Sequence, residues 1–265
     1  MLSNLANLFR YRGLIQSLVA RELKARYRGS ALGFLWSFIN PLLLLLIYSF
    51  VFTPVMPNET RGVQPYQLFM FCGILPWTWF SSSLSEAAGS LISGGNLIKK
   101  VLFPAEVLPI VSVLTNMVHF FQGLPILIAF LLVYEHYPRP VNLWWFPVAV
   151  LVQLVFTSAL ALIVSALAVH FRDIRDILSN LLTLWFFATP IIYPWFQPSV
   201  QQFHLFFDVN PFTHLAVSYQ EILFFNSGPV GHWKWLLALG AGSVLLFLAG
   251  YWLFDRLRDS FAEAV

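Results

Sequence analysis

Charged residues are missing from six long stretches of this chain, and this feature limits its fold more than any other. A helix needs about 20 predominantly apolar residues to cross the hydrocarbon core of a membrane. No Asp, Glu, Lys or Arg occurs in 29–58, 62–85, 107–134, 140–171, 177–207 or 235–254. Charged residues make up only 10% of the chain, whereas a soluble domain carries about 25%. We therefore expect an all-α membrane protein.

The six stretches predict six transmembrane helices in a single domain, 1–265. The spans are expected at about 33–55, 66–88, 107–134, 143–170, 177–200 and 235–254. Cytoplasmic loops collect Lys and Arg. With both termini cytoplasmic, twelve of the 15 basic residues lie inside, six before the first span and six in later segments. The net charge of +3 is then mostly a topology signal, which argues against a nucleic-acid partner.

Residues 1–30 are predicted to form an amphipathic helix that lies in the cytoplasmic interface. Basic and polar residues occupy one side of this helix, and apolar residues recur at helical spacing on the other. The apolar positions are Leu14, Ile15, Leu18 and Val19. The alternative is a basic topology anchor that packs on nothing. Gly29 and Gly33 permit a sharp turn into the first span.

Two short cytoplasmic segments are candidates for contact with a partner protein. In the first, Asn96 is a plausible N-cap and Pro104 would stop a short helix, which needs a docking surface to be stable. An ordinary loop, with Lys99 and Lys100 as topology charges, is the equal alternative. The second segment, Arg172–Asp176, is one helical turn with an i,i+4 ion pair. It also fits a solvated helix connection.

The fifth span contains a predicted helix break. Pro190 and Pro194 each remove a backbone donor, so the helix should kink or end near its outer third. Irregular backbone at that depth needs shelter from lipid by protein or by a water-filled cavity. Downstream, Asn210 at an N-cap and Pro211 at the first helical position predict a second outer helix. This helix is too short and polar to span, and is expected to be re-entrant or interfacial.

Aromatic residues make up 17% of the chain and cluster around the break. Singly, each fits lipid-facing bulk, helix packing or the aromatic belt at the membrane surface. Together they could offer flat faces on which sugar rings stack. The six candidates for a substrate channel are Trp185, Phe186, Phe187, Tyr193, Trp195 and Phe196.

Motifs for catalysis and metal binding are absent from the sequence. It contains no Gly-x-x-x-x-Gly-Lys-Ser/Thr phosphate loop, no Gly-x-Ser-x-Gly elbow and no metal-ligand spacing among its six histidines. His119 is the one ionisable residue expected deep in a span, and a satisfied polar residue at a helix contact is the simpler interpretation. We expect no catalytic residue, no metal and no bound cofactor. A membrane-embedded enzyme or scaffold would require a catalytic cluster that the sequence lacks.

The order and spacing of short motifs along all six spans resemble one known family. The chain is similar to the membrane permeases of ABC polysaccharide exporters, which move O-antigen, capsule and teichoic-acid chains. The matching residues are Arg21, Lys24, Arg26, Tyr27, Gly33, Trp36, Pro41, Gly73, Pro76, Trp77, Phe103, Pro104, Glu106, Phe171, Arg172, Asp173, Ile174, Pro190, Ile191, Ile192, Tyr193, Pro194, Asn210 and Pro211.

The resemblance implies a homodimer in the bacterial inner membrane, with two copies of a separate cytoplasmic ATPase that binds ATP and Mg²⁺. The substrate would be a lipid-linked polysaccharide, passing between protomers through a channel lined by spans one and five. The loop after span two would be a coupling helix, and the short outer helices would cap the exit. We expect Asn96, Lys99, Lys100, Arg172 and Asp173 to contact the ATPase. A permease of the same fold that exports a lipid or drug is the alternative.

Overall fold

The structure is a computed structural model that describes residues 10–51, 55, 63–99, 103–171, 173–225 and 228–264. These residues lie in helices, turns and short irregular segments, with no β-strand among them. The helices are α1 (Arg12–Tyr27), α2 (Trp36–Phe50), α3 (Tyr66–Ser93), α4 (Gly95–Ile98), α5 (Val107–Val133), α6 (Pro140–Leu143), α7 (Phe146–His170), α8 (Ile174–Phe187), α9 (Pro198–Gln201), α10 (His204–Val209), α11 (Pro211–Leu223) and α12 (Trp233–Ala264).

Three of the helical segments described are long and apolar enough to cross a membrane, judged by length and composition. These segments are Val107–Val133, Pro140–His170 and Trp233–Arg258. They coincide with the predicted third, fourth and sixth spans. Helix α2 is apolar but shorter. The all-helical class is confirmed, and the count of six spans stays a prediction.

Helix α3 is the centre of the fold. It packs against α5, α7, α8 and α11, and nineteen of its 28 residues are buried. Helices α8 and α11 both reach the middle of α3, where Trp185 and Phe212 contact Trp77. Two side chains bind backbone carbonyls across these contacts. Trp79 Nε1 donates to the Val113 carbonyl at 3.1 Å, and Gln153 Nε2 donates to the Pro76 carbonyl at 2.8 Å. These bonds fix α3 against both neighbouring helices.

Helices α7 and α12 form the most extensive pair in the fold. Their backbones approach closely because small residues face each other. A methyl group added at Gly250 would lie 2.9 Å from the Ala159 carbonyl oxygen and 3.1 Å from Ile163 Cγ1. Ten residues nearer the start of α12, a methyl group added at Gly240 would lie 3.1 Å from Val152 Cγ2. The glycines therefore set the distance between these two helices.

Helix α1 packs on the first turns of α5. Leu18 is buried against Val107 and Val111, and the other predicted apolar positions of α1 are half-buried beside it. The chain then turns into α2 at Gly29 and Gly33, whose φ angles are +79° and +49°. Glycine adopts such angles without strain. The glycine turn is as predicted, and α1 packs on α5 through the predicted apolar positions, so the alternative of an anchor that packs on nothing is wrong. Residues 1–9 of the predicted helix lie outside the described residues, and the position of the helix in the cytoplasmic interface stays a prediction.

Candidate functional site

The predicted break in the fifth span is present and is sheltered by protein. Helix α8 ends at Phe187, and regular helix does not resume before Pro198. Pro190 and Pro194 lie between these points, and both are buried. Burial of this irregular backbone leaves carbonyl groups that need partners, because buried polar groups are costly without hydrogen bonds.

Asn210 supplies several of these partners at once. Its Oδ1 accepts from the Phe212 backbone N–H at 3.1 Å, which confirms the predicted N-cap, and from Trp185 Nε1 at 2.7 Å. Its Nδ2 donates to the Ala188 carbonyl and to Thr189 Oγ1, both at 3.0 Å. One amide therefore caps α11 and ties its start to the end of α8.

Three further side chains bind the carbonyl groups around the break. Gln220 Nε2 donates to the Pro190 carbonyl at 3.0 Å, and Tyr193 Oη donates to the Phe187 carbonyl at 2.8 Å. Tyr66 Oη donates to the Ile192 carbonyl. Gln220 belongs to α11, in which eleven of thirteen residues are buried. Helix α11 is thus enclosed by protein, and its Gln220 side chain contacts the break from the interior of the fold.

The six candidate channel aromatics have different surroundings. Trp185 and Phe186 are half-buried and pack against Trp77. Tyr193 packs against Phe207, and Trp195 packs against His232 at 4.9 Å between ring centroids. The two with exposed rings are Phe187, 59% exposed, and Phe196, 39% exposed. Their role as channel residues stays a prediction.

Helix α8 also carries a polar face that the sequence interpretation missed. Leu178 and Leu182 are its buried residues. Residues three and four positions apart share a face of a helix. The exposed polar residues of α8 lie mainly on the face opposite Leu178 and Leu182. The exposed polar side chains are Asp176, Ser179, Asn180 and Thr183. Their spacing was the available signal, but the prolines and aromatics of this span drew the interpretation elsewhere.

The first cytoplasmic segment differs from its prediction at the helix start. Helix α4 is one turn long and its N-cap is Gly94, without a side-chain cap bond. Asn96 lies inside the helix and is exposed, so its assignment as N-cap is wrong. The chain enters α4 directly from α3, and glycine fits at position 94 because a Cβ would lie 2.9 Å from the Ser90 carbonyl oxygen and 2.4 Å from Leu108 Cδ1. Lys99 is exposed, and Lys100 lies outside the described residues.

The second cytoplasmic segment contacts the inner end of α3. Asp173 is exposed and precedes α8 without making a side-chain cap bond, and Arg172 lies outside the described residues. Arg175, which the sequence interpretation did not single out, donates from Nε to the Ala88 carbonyl at 3.4 Å. Its guanidinium would lie 3.3 Å from a Cβ at Gly89. Both cytoplasmic segments are therefore attached to the same end of α3.

Helix α11 and the start of α12 are joined by stacked rings and by hydrogen bonds between Glu221 and His232. His214 stacks on Trp235 with centroids 4.6 Å apart, and its Nε2 lies 2.9 Å from the Asp208 carbonyl oxygen. Burial lowers the pKa of His214. The hydrogen bond to the Asp208 carbonyl raises this pKa, but burial is the larger effect. Glu221 Oε1 pairs with His232 Nδ1 at 3.1 Å. No group of three metal-ligating side chains occurs within the described part of the chain.

Membrane-length apolar helices and a helix break sheltered by protein together define a helical membrane protein. Comparison with known proteins makes the assignment specific: the family described as ABC-2 type transporter matches residues 13–224. The chain belongs to this family, whose members are transport components.

Two similar proteins match over nearly the whole chain, and a third matches over about three quarters of it. It is 44% identical over 266 residues to the O-antigen export system permease protein RfbA of Myxococcus xanthus, covering 100% of both chains. It is 35% identical to the protein of the same name from Klebsiella pneumoniae, covering 98% of this chain and 96% of the other. The capsule polysaccharide export inner-membrane protein CtrC of Neisseria meningitidis is 24% identical, covering 73% and 74%.

Proposed function

We propose that this chain is the permease subunit of an ATP-driven exporter that moves a lipid-linked polysaccharide of the O-antigen type across the inner membrane. The observation that carries the proposal is the 44% identity to an O-antigen export permease across the full length of both chains. Similarity confined to one segment would support only a shared fold. End-to-end similarity includes both cytoplasmic segments, the helix break and the outer helices.

The energy comes from a separate ATPase, present in two copies on the cytoplasmic face. The sequence carries no phosphate-binding loop, and ATP hydrolysis by that route needs one. The chain crosses the membrane six times with both termini inside. This topology is supported by twelve of 15 basic residues falling on the cytoplasmic side.

Two copies of the chain enclose the passage, and the polar face of α8 lines it. Lipid tails offer no hydrogen bonds, so the exposed Asn180 amide favours a surface that faces water or substrate. The Thr183 hydroxyl on the same face donates to the Ser179 carbonyl of its own helix at 2.9 Å. The neighbouring apolar stripe, with Leu181 and Leu184 exposed, suits lipid or apolar packing. Hydroxyl and amide groups also suit a sugar chain, because many weak hydrogen bonds let each residue bind and then leave.

The aromatics around the break divide into two roles in this proposal. Phe187 and Phe196, which have exposed rings, contact the passing sugars by stacking. Trp185 and Phe186 support the break through their packing on Trp77.

The ATPase docks on α4 and on the turn before α8. Lys99 and Asp173 are exposed there, and Arg175 connects the second segment to α3. Docking at this end transmits movement to the centre of the fold. Lys99→Glu and Asp173→Lys should each reduce substrate-stimulated ATP hydrolysis in the assembled complex; full stimulation in both would remove these segments from coupling.

The export function is tested by deleting the gene and following O-antigen in both membranes. We expect the surface O-antigen ladder to disappear and the lipid-linked polymer to accumulate at the inner membrane. Expression of the wild-type chain should restore the ladder. A normal surface ladder in the deletion strain, with no accumulated polymer, would contradict the proposal.

A further inference from the structure

A cavity of about 590 Å³ lies between α1, α2, α3 and α5, on the side of α3 away from the helix break. We call it the N-terminal cavity. Asn40 and Thr78 line it and are exposed, so the cavity opens to the surface of the chain. None of the six candidate channel aromatics and no residue of α8 or α11 lines it. It is thus separate from the helix break and from the polar face of α8, and α2, the predicted first span, forms one of its walls.

The lining changes from polar to apolar along its length. On α2, Ser37 and Asn40 precede Leu44 in the cavity wall. On α3, which runs the opposite way, Phe71 and Leu75 precede the polar residues Thr78 and Ser82. Both helices therefore place their polar residues at the same end, and α5 follows the same order from Asn116 to Phe120.

The polar end carries one compensated pair of charges. Arg26 Nη2 lies 2.5 Å from Glu86 Oε1, and each side chain is 34% exposed. Asn116 Nδ2 donates to Glu86 Oε2 at 2.7 Å. Glu86 follows Ser82 by four residues on α3, so it lies one turn beyond the cavity wall on the same face. The pair has no net charge, and both members are accessible.

We propose that the N-terminal cavity binds one zwitterionic phospholipid of the phosphatidylethanolamine type. The apolar end receives acyl chains, and the polar end receives the head group. The phosphate accepts from the Arg26 guanidinium and nearby hydroxyls, while the ammonium group donates to Glu86. An occupant without net charge matches a site without net charge, because each ligand charge meets its opposite.

The same electrostatics argue against the anionic alternatives. A phosphatidylglycerol head or a polyprenyl pyrophosphate would place its phosphate beside Arg26 but would offer no ammonium group to the Glu86 carboxylate. A bound phospholipid would also connect α1 to the spans, since Arg26 and Tyr27 form the α1 side of the cavity. The proposal concerns a lipid that stays with the protein and does not depend on which substrate is exported.

The test uses the full-length permease in nanodiscs of equal phosphatidylethanolamine and phosphatidylglycerol, with retained lipids identified by native mass spectrometry. The wild type should retain phosphatidylethanolamine preferentially. Glu86→Gln should lower the ratio of the two retained lipids about fivefold, which corresponds to about 1 kcal/mol for one half-exposed charge contact. Asp255→Asn removes a carboxylate from an exposed position of α12 and should leave the ratio unchanged.

A second variant tests the location. Thr78→Trp fills the cavity and should reduce the amount of phosphatidylethanolamine retained in the same nanodiscs. The helix content and the elution volume of this variant should stay those of the wild type. Equal retention of both lipids by the wild type, retention of polyprenyl phosphate instead, or an unchanged ratio in Glu86→Gln would overturn the proposal. Because export is measured separately, loss of the lipid preference would leave the proposed function standing.

Discussion

The α7–α12 pair and the α8–α11 pair are held together in opposite ways. Helices α7 and α12 meet through small residues, with Gly250 against the Ala159 carbonyl. Helices α8 and α11 meet at irregular backbone, where Asn210 and Gln220 bind the carbonyl groups that the break leaves free. Close packing favours one rigid arrangement. Hydrogen bonding instead permits α8 to end inside the protein, because side chains bind the carbonyl groups at its end.

The largest expected effect comes from Asn210→Ala. This change removes the cap of α11 and three bonds to the end of α8 and the residues that follow it, and it leaves buried groups without partners. We expect a loss of about 3 kcal/mol in the free energy of unfolding, from several hydrogen bonds of about 1 kcal/mol each. Denaturant unfolding in detergent micelles measures it.

Asn180→Ala is the matched control, because Asn180 is exposed on the polar face of α8. Its effect on stability should stay within about 0.5 kcal/mol. If the two alanine variants unfolded alike, Asn210 would not hold the break and the contrast between the two pairs would be lost.

A smaller effect is expected at the close-packed pair. In Gly250→Ala the new methyl group would lie 2.9 Å from a backbone oxygen, so the helices must separate, at a cost of about 1–3 kcal/mol. Gly242→Ala on the same helix meets nothing within 4 Å, and alanine favours helix there. Equal thermal stability of the two variants would show that the glycines do not set the distance between α7 and α12.

The smallest expected effect is a pH dependence at the outer end. Because burial lowers the pKa of His214, the unfolded chain binds a proton more readily than the folded one. Stability should therefore fall as pH drops below about 6.5, the ordinary histidine pKa. His214→Gln should flatten this slope, whereas the same change at exposed His204 should not. An unchanged slope in His214→Gln would show that His214 does not cause the pH dependence.

Local features of the fold could be predicted from sequence, and long-range partners could not. The apolar face of α1, the glycine turn, the proline break and the Asn210 cap each depend on residues a few positions apart. The partner of Pro190 is Gln220, thirty residues away, and no local pattern connects them. The partner of Glu86 is Arg26, sixty residues away, and no local pattern connects this pair either.

The error at Asn96 has the same origin. Its residue type suits a cap, but the position of the helix start depends on Gly94, which must fit against Leu108 of α5. For the candidate site, the sequence identified the break and its aromatics. It did not indicate that Trp185 packs inward, because Asn210 and Trp77 reach it only in the folded chain.

The central claim is that the polar face of α8 borders a water-filled passage, and adjacent single cysteines test it most directly. The background is Cys72→Ala, which removes the buried native thiol. Thr183→Cys places a thiol on the polar face, and Leu184→Cys places one on the apolar stripe. In the assembled exporter, a charged thiol reagent should modify Thr183→Cys and block export, and should leave Leu184→Cys unmodified. Faster modification of Leu184→Cys, or an unreactive Thr183→Cys, would contradict the account.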